Sequence, residues 1–262
     1  MLWYKAWLET RSRFLTSLAT LTIFCAVFVH HAQGLLRPEW TTDFNRLLFV
    51  TQQFVVIMWI LAVVLLGMGG IVREKALGTS SLTLSLPVSR AHLLGIRVGM
   101  GVLETITLGV VPWATIFLVS SLGRMPILIT QVEFYVLLLV GGGSVYFAMS
   151  ILVSSLVEGE YTAPAVAFGL ALLAAMLFDA WLRPYNVWRL VTGDYYVDRK
   201  THLLSGHFPW FVTLACMCAA GLMFIAAIHN LREILDLLDA ATAWSPEQLK
   251  LPFLGPLKHK GS

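Results

Sequence analysis

At 262 residues the chain is long enough for one or two soluble domains, but only 13% of its residues are charged, 58% are apolar and nine are tryptophan. Soluble domains carry about 25% charged residues, so the composition excludes that class and points to a polytopic membrane protein. The net charge of +3, with basic residues spread along the chain, builds no concentrated patch for nucleic acid.

Residues 1–13, MLWYKAWLETRSR, put Leu2, Trp3 and Trp7 on one helical side and Lys5, Glu9 and Arg13 on the other. Tryptophan opposite basic residues predicts a short helix lying in the membrane interface. The stretch that follows has no small-x-small cleavage site near His30 and His31, so it is expected as an uncleaved first span rather than a signal peptide. A spanning helix needs about 20 mostly apolar residues. Six runs meet or approach that length, at about 14–32, 47–72, 93–122, 134–157, 161–180 and 208–229. The expected fold is therefore an all-α membrane bundle of six transmembrane helices in a single domain, 1–262, with residues 230–262 as a tail that begins amphipathic.

Within the spans, Pro112 is expected to kink the third helix. Gly141-Gly142-Gly143-Ser144 is expected to let a neighbouring helix approach the fourth. Cys25, Cys216 and Cys218 fall in apolar runs without CxxC spacing and read as small packing residues. Six spans place both chain ends on one side, and the Lys and Arg excess near the helix ends on that side (Lys5, Arg11, Arg13, Arg73, Lys75, Arg90, Arg97, Arg232 and three lysines of the tail) puts it in the cytoplasm. The external connection 179–207 is the longest. Its Trp181, Tyr185, Trp188, Tyr195 and Tyr196 predict short helical pieces folded back on the membrane surface, with Asp179 solvated at a helix end.

Candidate chemistry is sparse. No Walker-type loop, GxSxG elbow, Rossmann fingerprint or HExxH spacing occurs, and the seven histidines show no metal-ligand pattern. Glu104 is the sharpest single residue. A carboxylate two turns into a span costs several kcal/mol unless it faces protein or water, which makes it a candidate for a translocation pathway. The alternative is a bond to polar groups of a neighbouring helix. Arg97 lies on the same helical face, roughly 10 Å away by helix rise, and is expected to snorkel outward.

The most punctuated connection is Arg73 to Arg97, REKALGTSSLTLSLPVSRAHLLGIR. Thr79, Ser80 or Ser81 can cap a short helix that ends before Pro87, and Ser89 can cap the third span. The alternation of Leu82, Leu84 and Leu86 fits a strand equally well. Glu74, Gly78-Thr79, Leu82, Leu86-Pro87-Val88-Ser89-Arg90 and Leu93-Leu94-Gly95 with a basic Arg97 resemble the E-x-GT…LPVSR…L-G-K pattern of ABC-2-type transporter permeases. Ser80-Ser81 and Arg97 depart from it.

The resemblance implies a permease subunit without an ATPase site of its own, usually an exporter in the prokaryotic cytoplasmic (inner) membrane. It would pair with a second permease subunit, as homo- or heterodimer, and with a separate ABC ATP-binding subunit that carries the ATP and Mg. Residues 74–86 would form a cytoplasmic coupling helix docked on that subunit, with Glu74, Gly78, Thr79, Leu82, Leu84, Leu86, Pro87 and Arg90 at or near the contact. Residues 1–13 would be the elbow helix. Two other classes stay open: a membrane-embedded lipid-modifying enzyme using Glu104 and histidines, and a structural membrane subunit of a larger complex.

Overall fold

The computed structural model describes residues 2–35, 41–67, 90–123, 127–157, 162–181, 186–196, 198 and 208–243. For residues 2, 32–35, 41–45, 90–94 and 231–243 it gives the backbone course alone. The described elements are helices: α1 (Leu2–Leu35), α2 (Thr41–Gly67), α3 (Arg90–Leu122), α4 (Ile129–Leu156), α5 (Thr162–Trp181), α6 (Val187–Thr192) and α7 (Trp210–Ala243). All but the short α6 are long and apolar enough to cross a membrane. The all-helical class and the six long apolar helices match the sequence expectation.

Boundaries differ, for identifiable reasons. Residues 2–13 are not a separate helix: α1 runs without a break from Leu2 to Leu35. At 1.5 Å per residue it is about 50 Å long, so it outruns a hydrocarbon core of about 30 Å and its first turns stand at or beyond the membrane boundary. At the other end, α7 continues to Ala243, because the amphipathic Leu231–Leu238 pattern extends the last span instead of opening a separate tail. Pro112 lies inside an uninterrupted α3.

The bundle is organised on α2. Its most apolar window is 56% buried, against 17% for α5 and 22% for both α1 and α7. Val55, Val56, Trp59, Ile60 and Val63 recur at three- and four-residue spacing and are fully buried. Lipid supplies no hydrophobic drive between helices, so close fit and small residues hold them. Ala163, Ala167 and Ala171, four apart, form the buried stripe of α5, which packs on α4 and α2. The outer faces carry exposed apolar residues such as Ile23, Leu173 and Phe211, as lipid contact requires.

The glycine run in α4 is the place where packing bends the helix rule. Leu138–Gly142 forms one π-helical turn, the bulged geometry that inserts an extra residue in an α-helix. A Cβ on Gly143 would lie 2.5 Å from the Trp59 ring, and one on Gly141 would lie 2.5 Å from the Thr213 side chain. Thus α2 presses on one side of the bulge and α7 on another. Ser144 Oγ donates to Gly141 O at 2.7 Å, satisfying a carbonyl at the irregular turn.

Candidate functional site

Of the residues singled out for coupling, Glu74, Gly78, Thr79, Leu82, Leu84, Leu86 and Pro87 lie outside the described residues. Arg90 is the first residue of α3, and only its backbone is described. Glu104 is placed fully. It is 3% exposed on the side of α3 that meets α1, and its Oε1 accepts a hydrogen bond from Thr10 Oγ1 at 2.5 Å. Its second oxygen, Oε2, is buried and has no hydrogen-bond partner among the described residues. The polar group that meets Glu104 therefore comes from the segment read as a surface helix.

Arg97 corrects another expectation. Rather than snorkelling outward, its guanidinium turns to α1 and pairs with Glu9 Oε2 at 3.1 Å, with the Arg97 side chain 16% exposed. Glu9 also lies 4.0 Å from Lys5 one turn earlier. Arg97 and Glu104, seven apart, occupy one face of α3. Glu9 and Thr10 supply their respective partners from adjacent positions on α1. The sequence carried both halves of this match but not the fact that these helices touch. Trp3 leans on the same contact, within 3.1 Å of where a Gly99 Cβ would stand.

The contact lies at the end of α1 that carries its basic residues. Thr10 precedes the exposed Arg11 and the basic Arg13, after which Phe14 to Val29 carries no charge. That run supplies about 24 Å of helix, most of the hydrocarbon thickness. Paired with Thr10, Glu104 stands beside the stretch of α1 that carries Arg11 and Arg13, just ahead of its uncharged run.

The opposite end holds a second polar cluster that sequence reasoning missed. Gln52 is fully buried; its Nε2 donates to Val191 O at 2.9 Å, while its Oε1 accepts from Trp113 Nε1 at 3.1 Å. Trp113 stacks on Tyr135, centroid to centroid 4.7 Å and nearly parallel. One amide thus ties α2, α3 and α6, and the indole extends the tie to α4. The connection over 179–207 does include a short helix, but α6 sinks in rather than lying on the surface: Leu190, Val191 and Thr192 are buried.

Its ends explain why it forms. Asn186 caps it by accepting from Trp188 N–H at 2.9 Å, and Gly193, at φ 77°, ends it in the left-handed conformation glycine adopts freely. Asn186 Nδ2 also donates to Ala175 O. Asp179 pairs with Arg189 Nε at 2.6 Å, so it anchors α6 to α5 instead of being merely solvated. That close carboxylate, foremost, holds the Arg189 guanidinium above its ordinary pKa, with Asp194 and Tyr195 adding to it.

Among the described residues no group of three or more His, Cys, Asp or Glu side chains is placed to hold a metal ion. Cys25 and Cys216 are buried as packing residues, whereas Cys218, two positions on, faces outward. These features define an all-helical, multi-pass membrane protein with one polar tie at each end of its bundle. Compared with models of known protein families, with curated proteins and with solved structures, the chain matches none.

Proposed function

We propose that this chain is the permease subunit of an ABC-2-type exporter, forming a translocation pathway as a dimer and driven by a separate ATP-binding subunit. The observation that carries the reading is the Glu74–Arg97 sequence, with its Gly78-Thr79 and Leu86-Pro87-Val88-Ser89-Arg90 elements, set between two long apolar helices. The start of α3 at Arg90 is in keeping with it, since Pro87 disfavours helix at the residue before it and Ser89 is a good cap. In this reading residues 74–86 are the coupling helix, the first turns of α1 act as the elbow, and both chain ends face the cytoplasm of a prokaryote. ATP binding to the partner subunit shifts the permease between inward- and outward-open populations by its differential affinity for the two. Glu104 enters as a pathway candidate at the cytoplasmic rim.

The deciding experiment purifies the chain from native membrane and asks for a nucleotide-binding partner. Co-expression with that subunit then tests Leu82→Asp together with Leu84→Asp: ATPase association and transport are expected to be lost. Survival of both ends the coupling assignment. Recovery of a chemically altered lipid and no nucleotide-binding subunit favours a lipid-modifying enzyme instead. Full transport by Glu104→Gln ends the pathway role of that carboxylate.

A further inference from the structure

We propose a bound-water site inside the bundle, with water held between the Trp59 indole N–H of α2 and the Thr105 hydroxyl of α3. This inference does not depend on the transport reading.

The first element is the shape of the seam. Helix α3 packs most extensively on α1 and only sparingly on α2, so large side chains rather than close backbones bridge it to α2. Gly101, Thr105 and Gly109 recur every four residues and share one buried face of α3. At one end of that row the Phe147 ring of α4 fills the Gly101 notch, 2.5 Å from where a Cβ would stand. At the other end a Cβ on Gly109 would lie 2.7 Å from a Val140 methyl and 3.7 Å from Trp59 Nε1. Thr105 stands between the two ring-filled notches, about 6 Å along the helix from each glycine.

The second element is the polar groups left in that gap. Trp59 is fully buried and Thr105 is 4% exposed, yet neither Trp59 Nε1 nor Thr105 Oγ1 has a hydrogen-bond partner among the described residues. Thr105 differs in this from other threonines of α3. Thr107 Oγ1 donates to Leu103 O at 2.8 Å and Thr115 Oγ1 to Val111 O at 2.9 Å, each one turn back. The bilayer offers a buried donor no partner, and a buried donor left unmade costs more than a typical bond returns. Water accepting from the indole N–H and bonding the hydroxyl meets the two-partner minimum of buried waters. Two bonds of about 2.9 Å reach about 6 Å, which matches the one turn between Gly109 and Thr105. Such a water ties α2 to α3 between the Glu104 contact and the Gln52–Trp113 bond.

The test is hydroxyl-radical footprinting of the full chain in detergent micelles, read by mass spectrometry after brief mixing with isotopically labelled water. Trp113 is the internal control, since it is fully buried as well but has its N–H bonded to Gln52. The exposed Trp210 reports bulk water. Trp59 is expected to oxidise several times faster than Trp113 and to take up the new isotope later than Trp210, as a bound water dictates. Thr105→Val should bring Trp59 labelling down to the Trp113 level and lower the thermal midpoint by about 2–4 °C. Thr105→Ser keeps the oxygen and should retain the labelling.

Trp59 oxidising no faster than Trp113 overturns the site. Isotope uptake at Trp59 as fast as at Trp210 also overturns it, because bulk water would then be entering the seam. So does a midpoint that Thr105→Val leaves unchanged or raises, since deleting a hydroxyl without a partner carries no penalty. Should Thr105→Val fail to fold, the comparison of Trp59 with Trp113 in the wild type decides.

Discussion

At the far end of the bundle Gln52 uses both halves of its amide, one on Trp113 and one on Val191, and no charge is involved. At the near end Glu104 has one oxygen bonded and, among the described residues, one without a partner, and its neighbour Glu9 is shared between Arg97 and Lys5 in partial contact with solvent. A satisfied neutral network in a low-dielectric interior specifies one arrangement and resists change. A half-satisfied carboxylate and a partly exposed ion pair specify less and open more readily. The difference teaches where this bundle is fixed and where it can move: the far end is a knot, the near end a catch.

Breaking the knot should cost most. Gln52→Leu leaves the Trp113 indole N–H and the Val191 carbonyl buried without partners, a loss of about 2–4 kcal/mol. Thermal unfolding in detergent micelles should show it as a lower midpoint, with α6 losing its protection first. An unchanged midpoint would remove the distinction drawn between the two ends.

Gly143→Ala comes next. The backbone there, φ −72°, accepts alanine, so the penalty is purely steric, from a methyl set against the Trp59 ring, at about 1–3 kcal/mol. Gly169, where an added Cβ meets nothing within 4 Å, is the control, and Gly169→Ala should leave the midpoint in place. Asn186→Ala removes the cap of α6 and its bond to α5, about 1 kcal/mol. Faster amide exchange in residues 186–196 with no change in α1 would confine the effect to the far end.

Arg97→Ala should be the smallest in stability, below about 1 kcal/mol for a partly exposed pair, and it should loosen the first turns of α1 while the far end stays as it was. If it instead lowered the midpoint as far as Gln52→Leu does, the near end would be a second knot.

The six helices were legible because twenty or so uncharged residues in a row have few other homes. The glycine run was legible as a site of close approach, though not as a π turn, since that depends on Trp59 and Thr213 pressing from two other helices. Glu104 was legible as unusual because carboxylates are costly in a span. Its partner was not, because Thr10 comes from another helix, just ahead of Arg11 and Arg13, and no pattern along α3 reports that. Gln52 passed unremarked, since an amide in an apolar run gains meaning only from the indole and carbonyl it meets.

The sequence by itself determined the class, the number of long helices and the presence of a carboxylate that would need company, because hydropathy and charge act on a helix one segment at a time. Only the tertiary structure decided which helices touch. It set Glu9 and Thr10 of the first turns against α3, drew Arg97 inward to Glu9, and sank α6 onto Gln52. Those choices rest on contacts between residues 60 to 140 positions apart, and a periodicity read along one helix carries no information about the face of another.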